Sequence, residues 1–289
     1  MSNLLTKCCL VGESVAGDPT HFMIERALEQ MGLDWRFLSF QPLPERLGEA
    51  LTGLDAVGVQ GVRLLGAYAD KPAGVAARTA RSTRTGRVTH LTRHEGRLQG
   101  DDATGPALVE ALAPRGEPAG KRVVVLGAGG AAPSVVDVLV EHGAAMVGVA
   151  DPSSDRAAAV VLSAHSNRPE TAPTDAAACD VRTLAWEDEW VELPDAVDWL
   201  VSTAAWPKAD NPRVAQLVAP ELGDTQLVLD LGIGSSRSPL LLAAESRGRV
   251  AVDGLPILVA ETALAVEAWT GLEADRTVLR DAAEEFLGL

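Results

Sequence analysis

The 289-residue chain carries 40 acidic against 25 basic side chains, a formal net charge of −15, which argues against a phosphate backbone and so against nucleic acid as a partner. Its apolar content, 47%, suffices for one large or two medium cores, yet no apolar run approaches the roughly 18 residues of a membrane helix. Three cysteines, two of them adjacent at Cys8 and Cys9, make neither a disulfide framework nor a paired metal motif, so no metal site is expected. The expected partner is a small-molecule substrate, with no membrane association, a monomeric or homodimeric state and a cytoplasmic location; the apolar stretch at residues 8–12 is too short for a signal peptide.

In chain order, residues 8–12 read as a strand, 20–31 as an amphipathic helix ended by Gly32, and 35–40 as a second strand. Residues 54–59 and 88–98 add strand material, the latter alternating into a turn at Glu95-Gly96, a pattern that separates His90 from His94. The first 112 residues are thus expected to form an α/β domain. Its basic cluster, Arg78, Arg81, Arg84, Arg87, Arg93 and Arg97, reads as a solvated face, with attraction of a small anion as the alternative. Ala113-Pro-Arg-Gly-Glu-Pro-Ala-Gly120 has the proline and glycine content of a linker.

Residues 121–253 alternate strand and helix in the doubly wound manner, with strands at 123–126, 146–150, 199–202 and 227–231. The tail, 254–289, is helical by period from residue 258. Its apolar residues, among them Leu258, Ala265, Trp269, Val278 and Phe286, need a surface, most simply the first domain, which the tail would complete.

The densest signal is Lys121-Arg-Val-Val-Val-Leu-Gly-Ala-Gly-Gly-Ala131, a buried parallel strand followed by a glycine turn and a helix. Gly127, Gly129 and Gly130 lack the Cβ that would hold the backbone off a pyrophosphate, and helix amides would face the phosphates, with Ala128 and Ala131 among the expected cofactor contacts. The next strand ends at Asp151, at the distance expected of a carboxylate that binds a ribose diol. Such a carboxylate attracts a free 2′-hydroxyl and repels a 2′-phosphate, so NAD is favoured over NADP. Arg156, expected on the following helix, is the one residue that would reverse this preference.

Further stretches in the same order resemble the shikimate dehydrogenase family over nearly the whole chain. They are Gly96-Arg-Leu-Gln-Gly-Asp-Asp-Ala-Thr-Gly105, Leu229-Asp-Leu, Ser238-Pro-Leu-Leu241, Asp253-Gly-Leu-Pro-Ile-Leu-Val-Ala-Glu-Thr-Ala263 and Trp269-Thr-Gly271. The resemblance implies an α/β substrate domain, residues 1–112 with 254–289, and a Rossmann domain, residues 121–253, that presents a nicotinamide across a cleft. It also implies hydride transfer between a ring ketone and an alcohol.

Several of the family's functional groups are changed. Thr104 stands where the catalytic aspartate would be, beside Asp101 and Asp102; Asp18 and Thr20 replace a serine pair, and Glu261 replaces a glutamine. The family's lysine has no clear counterpart, Lys71 being the only lysine in that region, to be read as acid/base or as a solvated loop residue. Asp102 is either an orienting group or the cap of a helix. The resemblance further implies substrate contacts at Arg63 and Thr89 and cofactor contacts at Ser202, Thr203, Gly232 and Gly254. Carboxylates at Asp18 and Glu261 disfavour a substrate acid unless arginine pairs with them, so the expected substrate is a small hydroxylated or keto compound other than shikimate. A catalytically impaired dinucleotide-binding paralogue and a true shikimate or quinate dehydrogenase are the alternatives.

Overall fold

The computed structural model describes residues 5–72, 74–75, 77–166, 179–187, 190–203, 223, 225–234 and 237–289. It is an α/β protein that divides into two compact units, residues 1–107 with 256–289 and residues 108–255.

The first unit is built on a six-stranded mixed sheet of order β2-β1-β3-β5-β6-β4. Its strands are β1 (Lys7–Val11), β2 (Arg36–Phe40), β3 (Gly61–Leu64), β4 (Ala77–Arg78), β5 (His90–His94) and β6 (Arg97–Asp101). The parallel β2-β1-β3 half follows from the crossover helices α1 (Thr20–Gln30) and α2 (Leu47–Ala56). Strands β5 and β6 form an antiparallel hairpin, closed at Glu95 (φ 49°) and Gly96 (φ 82°), the positive pair that a two-residue turn needs to match strand twist.

The strand expected at 54–59 is instead the end of α2. Leu47, Leu51 and Leu54 recur at helical spacing and pack one core with Val62 and Leu91, while Val57 is exposed. Strand β3 begins only at Gly61.

The tail forms two helices, α9 (Leu255–Thr270) and α10 (Arg276–Leu287), following the short helices α3 (Ala67–Asp70) and α4 (Ala80–Thr85), α5 (Thr104–Leu112) and three helices of the second unit given below. Trp269 seats against the sheet: its indole N–H donates to the Leu91 carbonyl at 2.9 Å and its ring fills the space that a Cβ on Gly61 would take. That close approach is why residue 61 lacks a side chain. On α10 the buried residues are Leu279, Ala282 and Ala283, whereas Phe286, expected to be covered, is 42% exposed and only tilts against Phe22.

The second unit holds an all-parallel sheet of order β12-β11-β10-β7-β8-β9. Its strands are β7 (Arg122–Leu126), β8 (Met146–Ala150), β9 (Asp180–Thr183), β10 (Trp199–Ser202), β11 (Leu227–Asp230) and β12 (Val250–Val252). Counted within the unit this is the doubly wound order whose switch point lies between β7 and β10. Helices α6 (Ala132–Glu141), α7 (Ser154–Ser166) and α8 (Pro239–Ser246) accompany it. Ser238-Pro239 opens α8 in standard fashion, the serine hydroxyl accepting from the Leu241 amide at 3.3 Å. Among the described residues no helix is long and apolar enough to cross a membrane.

Candidate functional site

In the first unit, four elements that are distant in sequence deliver charged side chains to one buried point. Arg63 on β3 is 3% exposed; its guanidinium donates Nη1 to the Thr89 carbonyl at 2.9 Å and Nη2 to Glu261 Oε2. Glu261, on α9 and 12% exposed, accepts from the Thr104 hydroxyl on its other oxygen at 2.5 Å. Arg87, in the turn after α4 and 14% exposed, donates Nη1 to the same hydroxyl and Nε to Asp70 at 2.7 Å, and lies 4.0 Å from Glu261 Oε1. The Thr104 hydroxyl is therefore pinned, receiving from Arg87 and giving to Glu261.

The loop beneath is held by shorter-range bonds. Asp102 is fully buried and accepts from the Thr104 amide at 3.0 Å, the Asx geometry that opens α5. The Thr89 hydroxyl accepts from the Ala103 amide at 2.8 Å. Burial pushes the Glu261 carboxyl up, but Arg63, Arg87 and the Thr104 hydrogen bond outweigh it and hold the group below the usual carboxylate range. Burial alone dominates at His90, lowering its imidazole to about 4 and leaving it neutral. Burial lowers the Arg87 guanidinium, but Glu261, Asp70 and Asp102 together raise it above its ordinary value.

Of the residues expected to bind substrate or act in catalysis, Arg63, Thr89, Asp102, Thr104 and Glu261 are brought together. Asp18 and Thr20 are bonded instead to each other at the start of α1, where Asp18 accepts from the Thr20 amide at 2.8 Å, and the buried Thr20 hydroxyl has no hydrogen-bond partner. Lys71 follows α3 and is exposed; the cation beside Thr104 is Arg87. The reading of the arginine cluster as a solvated face is corrected for three of its members. Arg87 is half-buried in the site and pairs with Asp70, Arg93 pairs with Asp55 at 3.0 Å and Arg81 with Asp101 at 2.6 Å. The acceptors come from segments that no local charge pattern connects.

In the second unit the glycine turn lies at the carboxyl end of β7. Gly127 adopts φ 88°, and a Cβ on Gly129 would meet nothing within 4 Å, so the backbone is open to an approaching group before Ala131 caps α6. The hydroxyl of Thr203, just past buried Ser202, donates to the Gly127 carbonyl at 2.7 Å and so fixes the turn. The other two glycines have a packing explanation. A Cβ on Gly254 would strike the Leu231 carbonyl, and one on Gly232 would come within 3.3 Å of Asp230 Oδ1.

Asp151, at the end of β8, accepts from the Ala128 amide at 2.7 Å and the Ser153 amide at 2.8 Å. It also pairs at 2.7 Å with Arg156, in the first turn of α7, whose side chain leans back toward the strand end. The strand end thus does carry a cation. The Asp151 side chain is 4% exposed and that of Arg156 62%, so the group open to solvent is the guanidinium. Among the described residues no cluster of His, Cys, Asp or Glu could hold a metal.

No protein-family model matches the chain. Among curated proteins it is 30% identical to the shikimate dehydrogenase (NADP(+)) of Geobacter metallireducens, over 94% of this chain and 93% of that protein. It is 29% identical to the enzyme of the same name from Methanopyrus kandleri, over 96% and 94%. Among solved structures it matches the shikimate 5-dehydrogenase of Thermus thermophilus in complex with NADP(H) and shikimate, with a TM-score of 0.82, 26% identity and 98% and 100% coverage. The ligand-free 5-ketofructose reductase of Gluconobacter sp. strain CHM43 shares the fold, with a TM-score of 0.81, 23% identity and 98% and 99% coverage. With similarity running through both units and nearly the full length of either partner, the chain belongs to the shikimate dehydrogenase family.

Proposed function

We propose that this protein is a nicotinamide-dinucleotide-dependent oxidoreductase that interconverts a secondary alcohol and a ketone on a small, uncharged polyhydroxylated substrate rather than shikimate. The observation that carries the reading is the hydrogen bond between Thr104 and Glu261, the two positions where the family keeps a catalytic aspartate and a substrate-gripping glutamine. The functional frame is retained there while its chemistry is changed.

Charge balance argues for the substrate class. Arg63 and Arg87 are paired with Glu261 and Asp70, which leaves no surplus cation among the described residues of the cluster to hold a substrate carboxylate. Hydroxyl and keto groups can exchange hydrogen bonds with such paired ions without introducing an uncompensated charge.

The turn at residues 127–130 is the proposed dinucleotide site: its backbone is open at Gly129 and leads into the start of α6, which suits a pyrophosphate, while the Ala128 amide is taken by Asp151. When bound, the dinucleotide supplies the hydride acceptor or donor. The preference for NAD rested on Asp151 facing the ribose, but that carboxylate is covered and already takes hydrogen bonds from two amides and Arg156. The exposed cation suits a 2′-phosphate. The relatives at 28–30% identity are named as NADP(+) enzymes, and NADP is our assignment.

The test is binding of NADP and NAD by calorimetry, followed by a screen of neutral polyols, ketoses and shikimate for turnover. Arg156→Ala should weaken NADP at least tenfold and leave NAD within about twofold, since a charge-assisted contact contributes about 1.5–3 kcal/mol. Equal loss for both forms would remove Arg156 from the 2′-position.

The exposed position of Lys71 favours a second reading, a dinucleotide-binding paralogue without turnover. Tight cofactor binding with no oxidation or reduction of any compound in the screen would select it.

A further inference from the structure

We propose that the proton-transfer carboxylate of this site is Glu261, delivered by the returning helix α9, with Arg87 as its fixed cationic partner and Thr104 as the positioning residue that locks the two together. The proposal deepens the oxidoreductase reading and rests on it.

The geometry supports it in three steps. Thr104 is only 1% exposed and its hydroxyl has its donor and one acceptor site in use, so it holds its neighbours rather than meeting a substrate. Glu261 and Arg87 both keep some exposure, as Asp70 does, and they lie 4.0 Å apart. Each carboxylate oxygen of Glu261 takes one short hydrogen bond, Oε1 from Thr104 and Oε2 from Arg63, which leaves a lone pair on each for a substrate hydroxyl. A carboxylate beside a guanidinium can serve alcohol oxidation, one group to take the hydroxyl proton and the other to face the developing alkoxide.

The balance is simple. In the oxidative direction the carbinol C–H bond breaks with its electron pair going to the nicotinamide dinucleotide, the O–H proton passes to Glu261, and a C=O bond forms. Reduction returns the proton from the Glu261 acid to the new alkoxide. The groups facing Glu261 are Arg63 from β3, Arg87 from the turn before β5 and Thr104 from α5, with Asp70, Asp102 and His90 farther out. Since Arg63 and Arg87 outweigh burial and keep Glu261 ionised, oxidation should be flat across neutral pH and fall only below the ordinary carboxylate range.

The experiment measures kcat, KM and cofactor affinity for the wild type, Glu261→Gln, Thr104→Val and Thr104→Ser on whichever substrate the screen identifies. Glu261→Gln should lose about 10²–10⁴-fold in kcat with dinucleotide affinity unchanged, the range of general acid/base groups. Thr104→Val should move the acid limb of the pH profile toward neutrality, and Thr104→Ser should restore it, an effect that a merely structural threonine would not give. Infrared spectroscopy of the cofactor-free protein supplies a readout independent of activity. The carboxylic-acid band absent from Glu261→Gln should appear in the wild type only at low pH, and at higher pH in Thr104→Val.

Turnover in Glu261→Gln within about threefold of the wild type overturns the proposal, as does loss of turnover in Lys71→Met together with its retention in Glu261→Gln. A wild type that binds the dinucleotide and turns over nothing removes the oxidoreductase reading itself, and this proposal with it.

Discussion

At the scale of single residues, the site is governed by what burial does to charge. His90 lies 5% exposed on β5, and desolvation lowers its imidazole from 6.5 to about 4. The unfolded chain therefore binds a proton between those values that the folded protein does not, so this residue erodes stability as pH falls from 6.5 toward 4. The full effect is about 3 kcal/mol, of which about 2 kcal/mol is felt at pH 5. Urea denaturation at pH 7 and pH 5 should show that loss in the wild type and a correspondingly smaller one in His90→Gln. An unchanged difference between the two pH values would mean that the imidazole is protonated in the native state. None of this was legible in the sequence, where His90 was one of two histidines on an alternating strand. The same holds for Arg87, whose partners Asp70, Thr104 and Glu261 lie up to 174 positions away along the chain.

At the scale of elements, local pattern and local turn chemistry were legible wherever one face met one core. The glycine turn after β7, the strand ending at Asp151 and the Glu95-Gly96 hairpin all lie where periodicity placed them. The strand expected at 54–59 failed because Leu54 continues the helical face of Leu47 and Leu51, and a short apolar run does not by itself distinguish the two periods. The edge strands β9 and β12 carried no signal, since Asp180-Val-Arg-Thr183 buries one residue and Val250 is 49% exposed. The hairpin offers a clean test of turn chemistry. Glu95 adopts φ 49°, where a β-carbon costs about 1–2 kcal/mol and asparagine is tolerated better, while Gly96 supplies the second positive φ at no such cost. Glu95→Asn should therefore raise stability by up to about 1 kcal/mol, read as a shift in the urea midpoint at constant slope; no shift would show that the turn relaxes to accept glutamate.

At the scale of the whole molecule, the consequential feature is that the first unit is discontinuous, residues 1–107 being completed by 256–289. The tail is structural as well as the source of the proposed base. It supplies Trp269, whose ring occupies the space above Gly61, and Glu261, whose carboxylate pairs with the 3%-exposed Arg63 from 198 positions away. Without the tail, Arg63 would lose its counter-ion and the sheet would lose the cover of a buried Trp side chain, whose loss alone costs about 3–5 kcal/mol. Together these approach the lower end of the stability of a typical domain, about 5–15 kcal/mol. A chain ending at residue 254 should therefore leave residues 5–107 unprotected in amide hydrogen exchange, while β7, β8, β10 and β11, which belong wholly to the second unit, keep their protection. Protection of β1, β3 and β5 at full-length levels would show that the amino-terminal sheet is stable without its tail. The structural role of the returning helix would then be minor, and its retention would have to be explained by Glu261 alone.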